Sequence, residues 1–162
     1  MTALSEAECR AWCEREGVLE CEGDLLFDKK ETFRRTVVVP QDSRSLALLS
    51  KRLPHQLSTS EEILLWVTEW GIWPSEENVA LFRRLLLAYD ERRWLSAAPG
   101  FVFGAGDRDE LEGFIRLVLI FGWGARIVGS GADTVFVVTH DETLEIVSKT
   151  AIDTQGWSLA KG

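Results

Sequence analysis

Residues 99–148 read PGFVFGAGDRDELEGFIRLVLIFGWGARIVGSGADTVFVVTHDETLEIVS, and the spacing of their hydrophobic residues changes from strand to helix and back. Phe101, Val102 and Phe103 form an apolar run between Gly100 and Gly104, which predicts a buried strand. Asp107 stands at a helix N-cap with Glu110 three residues on, the pattern of a capping box. Leu111, Phe114, Ile115, Val118 and Leu119 then recur at helical spacing until Gly122, which can close the helix in a left-handed conformation. Ala125–Val128 reads as a strand, 129–133 as a turn, and Val135–Val138 as a strand buried on both faces. A second turn at His140–Glu142 leads to a strand in which Leu144 and Ile146 alternate with Glu145. A strand–helix–strand crossover brings its two strands into one sheet, usually parallel. The two tight turns add antiparallel neighbours. The stretch therefore predicts an α+β fold with a mixed β-sheet built on a β-α-β-β-β unit, strand 134–139 lying near the centre.

Upstream, Ser5 is placed to cap a helix ending near Gly17, and Val18–Cys21 and Leu25–Phe27 to form a hairpin about residues 22–24. Thr36–Val39 is β-branched and stops at Pro40, so it reads as a strand. Asp42 or Ser43 caps a short helix ended by Pro54. Residues 58–62, STSEE, hold overlapping Ser/Thr-x-x-Glu boxes, and Ile63, Trp66, Val67 and Trp70 follow at helical spacing, predicting another helix closed by Gly71. Pro74 and Ser75 open a third, with Val79, Phe82, Leu85, Leu86 and Tyr89 on one face. The expected architecture is a helical segment, 42–95, packed on the sheet. Residues 1–162 read as a single domain, within which 42–95 could stand as a helical subdomain.

The net charge of −8 and a pI of about 4.8 argue against a nucleic-acid backbone as partner, because that contact needs clustered cations. No run approaches the ~18 apolar residues of a membrane span. Glu6 and Glu8 stand where a signal peptide would be basic and then apolar, and an odd cysteine count of three suits a reducing compartment, so a cytoplasmic location is expected.

The partner-binding candidates are Asp107, Asp109, Glu110 and Asp133. If strands 101–103 and 125–128 are parallel, the loops that follow them share one end of the sheet, where open sheets tend to bind. The expected partner is another protein with a basic surface, in a non-catalytic binding role. The same carboxylates also suit a helix cap and a turn. His140, Asp141 and Glu142 carry the rival reading, a metal-dependent hydrolase that joins His140 to carboxylates from elsewhere. Three successive residues in a tight turn point apart, so the turn reading is kept there. No metal or cofactor is expected. Cys9, Cys13 and Cys21 could be soft-metal ligands, Cys9 and Cys13 being one helical turn apart, but they lack the second pair that zinc needs and read as buried thiols. Gly104-Ala105-Gly106 lies between strand and helix as in phosphate-binding turns, but the acidic first turn would repel a phosphate. Trp66, Trp70 and Trp73 belong mainly to the core, and the basic interval Arg34, Arg35, Arg44, Lys51 and Arg52 to a solvated face.

Overall fold

The computed structural model describes residues 1–21, 24–27, 32–70 and 76–150. Its sheet grows from the unit expected in the C-terminal half. Strand β6 (Gly100–Gly104) leads through one 3-10 turn, Ala105–Asp107, into α4 (Arg108–Phe121), then β7 (Gly124–Gly129), β8 (Thr134–Val138) and β9 (Thr143–Ser148). Helix α4 ends where the sequence places its stop: Gly122 takes φ 61°, a conformation costly for other residues, and caps the last turn. The β7–β8 and β8–β9 turns give antiparallel pairs, with Ile127 opposite Phe136 and Phe136 opposite Ile146.

Earlier elements complete the fold. They are β1 (Thr2–Leu4), α1 (Glu6–Arg15), β2 (Val18–Cys21), β3 (Asp24–Phe27), β4 (Phe33–Val38), α2 (Ser43–Gln56), β5 (Glu62–Glu69) and α3 (Glu76–Ala88). Seven strands form one sheet in the order β1-β6-β5-β7-β8-β9-β4, and β2–β3 form a separate ribbon. The result is an α+β fold.

Strand β5 corrects the sequence reading. The stretch expected to be a capped helix, Ile63–Trp70, is for the most part a strand lying between β6 and β7 and antiparallel to both. The segment 42–95 therefore supplies a strand to the sheet interior as well as two helices. Residues Ile63 to Val67 are all apolar and all buried. In such a run a helical stripe can be picked out, but so can a strand covered on both sides, and five consecutive buried positions fit the strand. Because β5 is inserted, β6 and β7 run in the same direction without touching, and every hydrogen-bonded pair in the sheet is antiparallel. Strand β8 sits one place from the centre of the order, which β7 occupies.

The sheet is covered on both faces. Ile63, Leu65, Phe101, Phe103, Ile127 and Phe136 pack under α2, α3 and α4, whose Leu49, Leu53, Phe82, Leu86, Phe114 and Ile115 close that core. On the other face Leu64, Trp66, Val128, Val135 and Val147 pack under Cys9, Trp12 and Cys13 of α1 and under Val18 and Phe27 of the ribbon. Helix α1 comes so close that a Cβ at Gly100 would strike Cys9 Sγ.

One local expectation holds and two change. Ser5 does cap α1, with Glu8 returning the bond. Asp107 does not cap α4 with its side chain: the 3-10 turn shifts it, and its carboxylate reaches back to the Gly104 N–H at 3.1 Å. Helix α2 is capped by Asp42 and runs through Pro54 to Gln56, the proline being buried in its last turn. The expected helix stop at Gly71, the expected helix start at Pro74 and Ser75, and Trp73 fall outside the described residues.

Candidate functional sites at the two ends of the sheet

Strands β6 and β7 run the same way, so the loops after them do share one end of the sheet, with the start of β5 between them. The second loop is stitched to β5: Ser130 N donates to Glu62 O at 2.9 Å and Glu62 N donates to Ser130 Oγ at 3.1 Å. The four expected partner-binding carboxylates have different fates here. Asp107 Oδ2 receives the N-terminal ammonium of Met1 at 3.0 Å. That bond, followed by the Gly104 N–H, lowers its pKa below the usual aspartate value. Asp107 is thus a structural residue. Asp109 is exposed and Glu110 half-buried on the first turn of α4. Asp133 meets Lys149 Nζ at 3.1 Å, yet its side chain stays 62% exposed.

Two cations at this end, Arg108 and Lys149, bond to backbone carbonyls. Arg108 donates to the carbonyls of Ser60 at 2.6 Å and Pro54 at 3.4 Å. Lys149 donates to Ala132 O at 3.2 Å and lies over the Phe27 ring. Glu61, Glu62, Asp109 and Asp133 face solvent.

The opposite end holds most of the aromatic and basic chemistry. Here β5 finishes while β6 and β7 begin. Trp66 lies on the α1 face, directly opposite Arg126 of β7. The Arg126 guanidinium stands 4.8 Å from the indole centroid, and that of Arg10, reaching from α1, stands 5.6 Å from it. Arg10 also pairs with Glu6 at 2.7 Å. These groups, with Thr68, Glu69, Trp70 and Ser96, line an open cleft of about 520 Å³. Trp70 and Leu95 divide it from a smaller apolar recess lined by Phe82, Leu86, Trp94 and Trp123. Trp94, half-exposed, carries Arg83 over its ring at 4.0 Å.

His140 belongs to this end too. The turn expected at 140–142 is present: Glu142 N donates to Thr139 O, and Glu142 takes φ 58°. Glu142 diverges from the other two, accepting from Gln41 Nε2 at 2.8 Å, whereas His140 and Asp141 stay close together. His140 nevertheless finds a partner that the sequence hid. Its Nδ1 lies 2.6 Å from Glu69 Oε2, and its Nε2 lies 3.4 Å from Asp141 Oδ1. Glu69 sits opposite Gly124 after a bulge in β5, and a Cβ on Gly124 would come within 3.0 Å of the Glu69 side chain. The glycine opens the path from β5 to the turn beyond β8. Reading β5 as a helix concealed that contact.

The Glu69 bond, then the Asp141 charge, raises the His140 pKa above its ordinary value of 6.5. The folded ring holds its proton more tightly than the unfolded one. The pair's contribution is therefore full below the ordinary value and is lost as pH rises through the raised folded one. A proton-detected titration should place His140 above the ordinary histidine value, and Glu69→Gln should bring it down. A wild-type ring titrating at or below 6.5 would show the pair to be absent in solution.

Cys9 and Cys13 are buried free thiols, and burial pushes Cys9 up to about 12. Among the described residues no three His, Cys, Asp or Glu side chains are grouped so as to hold a metal ion. Among the same residues no helix is long and apolar enough to cross a membrane. The chain matches no protein-family model, no curated protein and no solved structure.

Proposed function

We propose that this protein is a non-catalytic protein-binding domain, and that its partner brings a basic surface to the end of the sheet where β6 and β7 finish. The observation that carries this reading is the direction of the charges there. Arg108 donates to backbone carbonyls, the ammonium of Met1 is held by Asp107, and Lys149 divides between the Ala132 carbonyl and the Asp133 carboxylate. The carboxylates of Glu61, Glu62 and Asp109 face outward, and Asp133 stays exposed beside Lys149, on a chain of net charge −8. Such a field speeds encounter with a cationic surface and selects against an anionic one. A reducing, cytoplasmic setting goes with the proposal and is supported by the buried free thiols of Cys9 and Cys13.

Asp109→Asn with Asp133→Asn tests it. Both side chains are exposed, so the fold should keep its melting temperature. Wild-type and doubly substituted proteins serve as baits in the native host, and each recovered partner is purified and its association followed across salt concentrations. The double variant should associate several-fold more slowly at low salt and show a flatter salt dependence, since exposed charges are screened over ~10 Å at 0.1 M salt. Equal rates and slopes, or a partner whose contact surface is acidic, would reject this docking site. The rival, a metal-dependent hydrolase using His140, rests on the Glu69–His140–Asp141 contacts. It would replace this reading if zinc raised the melting temperature of the wild type and His140→Ala abolished the effect.

A further inference from the structure

The aromatic end of the sheet carries an inference independent of the acidic one. We propose that the apolar recess edged by Trp94 and Arg83 is a docking site for a protein segment in which one apolar side chain is flanked by carboxylates.

Size comes first, and it selects a side chain rather than a metabolite. The recess holds about 20 Å³, room for one water at ~10–15 Å³, whereas sites that enclose small molecules run to ~300–1,000 Å³. Trp70, Phe82, Leu86, Leu95 and Trp123 line it. All but Trp70 are buried, and the Phe82 and Trp123 rings meet edge to face at 4.9 Å, so the floor is fixed. A water there meets mostly apolar walls, and the tip of an apolar side chain displaces it at a gain. The rim is held as well. Trp94 is 51% exposed, yet its carbonyl accepts from Ala97 N at 2.8 Å and from Ala98 N at 2.9 Å. Arg93, the residue before it, is tied to Glu91 and, at 2.9 Å, to Ala3 O. An exposed tryptophan that is already ordered loses little freedom on binding, and tryptophan is enriched among the residues that dominate interface energies.

Charge then selects the neighbours of that side chain. The Arg83 guanidinium stands 4.0 Å from the Trp94 ring centroid, and among the described residues that ring is its one partner. A guanidinium stacked on a ring presents its N–H groups at its edges, in a fixed fork that matches a carboxylate. Arg84, the next residue, is exposed, and among the described residues it is paired with no carboxylate. Of the two carboxylates in residues 83–94, Glu91 is taken by Arg93 at 2.7 Å, which leaves Asp90 against Arg83, Arg84 and Arg92. Leu87, 49% exposed, follows Arg83 by one turn of α3 and extends the apolar surface on that side of the helix. A basic segment would set like charge against Arg83 and Arg84. A purely apolar one would desolvate the Arg83 guanidinium and give it nothing to bond. Carboxylates on either side of an apolar anchor meet both demands. The patch is opposite in sign to the chain as a whole, net −8, so it selects a different surface from the acidic end.

The test uses the full chain and blocked pentapeptides: Glu-Glu-Phe-Glu-Glu and the same peptide with leucine or tryptophan at its centre. Two controls carry alanine at the centre or glutamine in place of every glutamate. Binding is read by calorimetry and by the shift of the Trp94 indole N–H resonance, assigned by its loss in Trp94→Phe. At least one of the three peptides should bind saturably and move that resonance, and its controls should bind at least fivefold more weakly. Arg83→Gln should weaken the affinity at least fivefold at an unchanged melting temperature, and Arg83→Lys, which keeps the charge but loses the fork, should weaken it less. Asp109→Asn with Asp133→Asn, at the other end of the sheet, should bind as the wild type does, so failure of the acidic docking site would leave these outcomes untouched. No saturable binding of any of the three peptides, equal binding of either control, or unchanged affinity in a folded Arg83→Gln protein would each overturn the proposal.

Discussion

Phe114→Ala is expected to remove ~3–5 kcal/mol of folding stability, the range for deleting a buried aromatic side chain. Phe114 is 2% exposed and sits where helix α4, helix α3 and the sheet meet. Its ring centroid lies 5.9 Å from Phe82, 5.4 Å from Phe101, 5.2 Å from Phe103 and 5.8 Å from Tyr89. Most of these pairs meet edge to face, the arrangement that a ring's quadrupole favours. Alanine would leave a void walled by large rigid rings, which cannot collapse into it as flexible aliphatic chains could. Against a total of ~5–15 kcal/mol for a domain, the loss is severe. Denaturant titration measures it. The midpoint should fall sharply at unchanged slope, while Ile120→Ala on the exposed side of the same helix stays within ~0.5 kcal/mol of wild type. A Phe114→Ala loss below ~1 kcal/mol would mean that the aromatic cluster does not hold the two layers together.

Helix α4 was open to prediction because its stripe stands out against a polar face. Leu111, Phe114, Ile115, Val118 and Leu119 are separated by Arg108, Asp109, Glu112 and Arg116. The same contrast located β9, where Glu145 interrupts Leu144 and Ile146. It fails at residues 63–67, where every position is apolar and period carries no information. The capping signals at 58–62 then decided the reading, and they are weak because Ser and Glu also belong in a turn before a strand. One local error spread to the functional reading. With residues 63–70 taken as helix, no strand was placed between β6 and β7, the Trp66–Arg126 pair had no reason to exist, and Glu69 could not be placed beside His140. The acidic end suffered less. It depends only on the common direction of β6 and β7, which the crossover fixes whether or not another strand lies between them. Asp107 escaped prediction for a different reason: its partner, the ammonium of Met1, lies 106 residues away in sequence.

Leu65→Asp should leave no stably folded protein, a loss beyond ~4–5 kcal/mol. The two readings of this segment separate most sharply at this residue. On a helix carrying Ile63, Trp66, Val67 and Trp70 on one face, Leu65 is turned ~200° from Ile63, at 100° per residue, and would sit in water. In the strand it is 0% exposed, opposite Phe101 on one side and Ile127 on the other, under the three-helix layer. Among the described residues the cluster around it is apolar, so an aspartate there meets side chains that cannot pair with it. It must either bury an unpaired charge or take up a proton, and both cost far more than one lost leucine contact. Thr68→Asp, at an exposed position of the same strand, should be tolerated. Hydrogen exchange adds a measurement on the unaltered protein. The Leu64 and Leu65 amides lie in a strand paired on both edges, so they should exchange only on global unfolding, with the slowest amides of the chain. A Leu65→Asp protein that melts at the wild-type temperature, or rapid exchange at both amides, would remove β5 from the sheet. The Glu69–His140 contact would go with it.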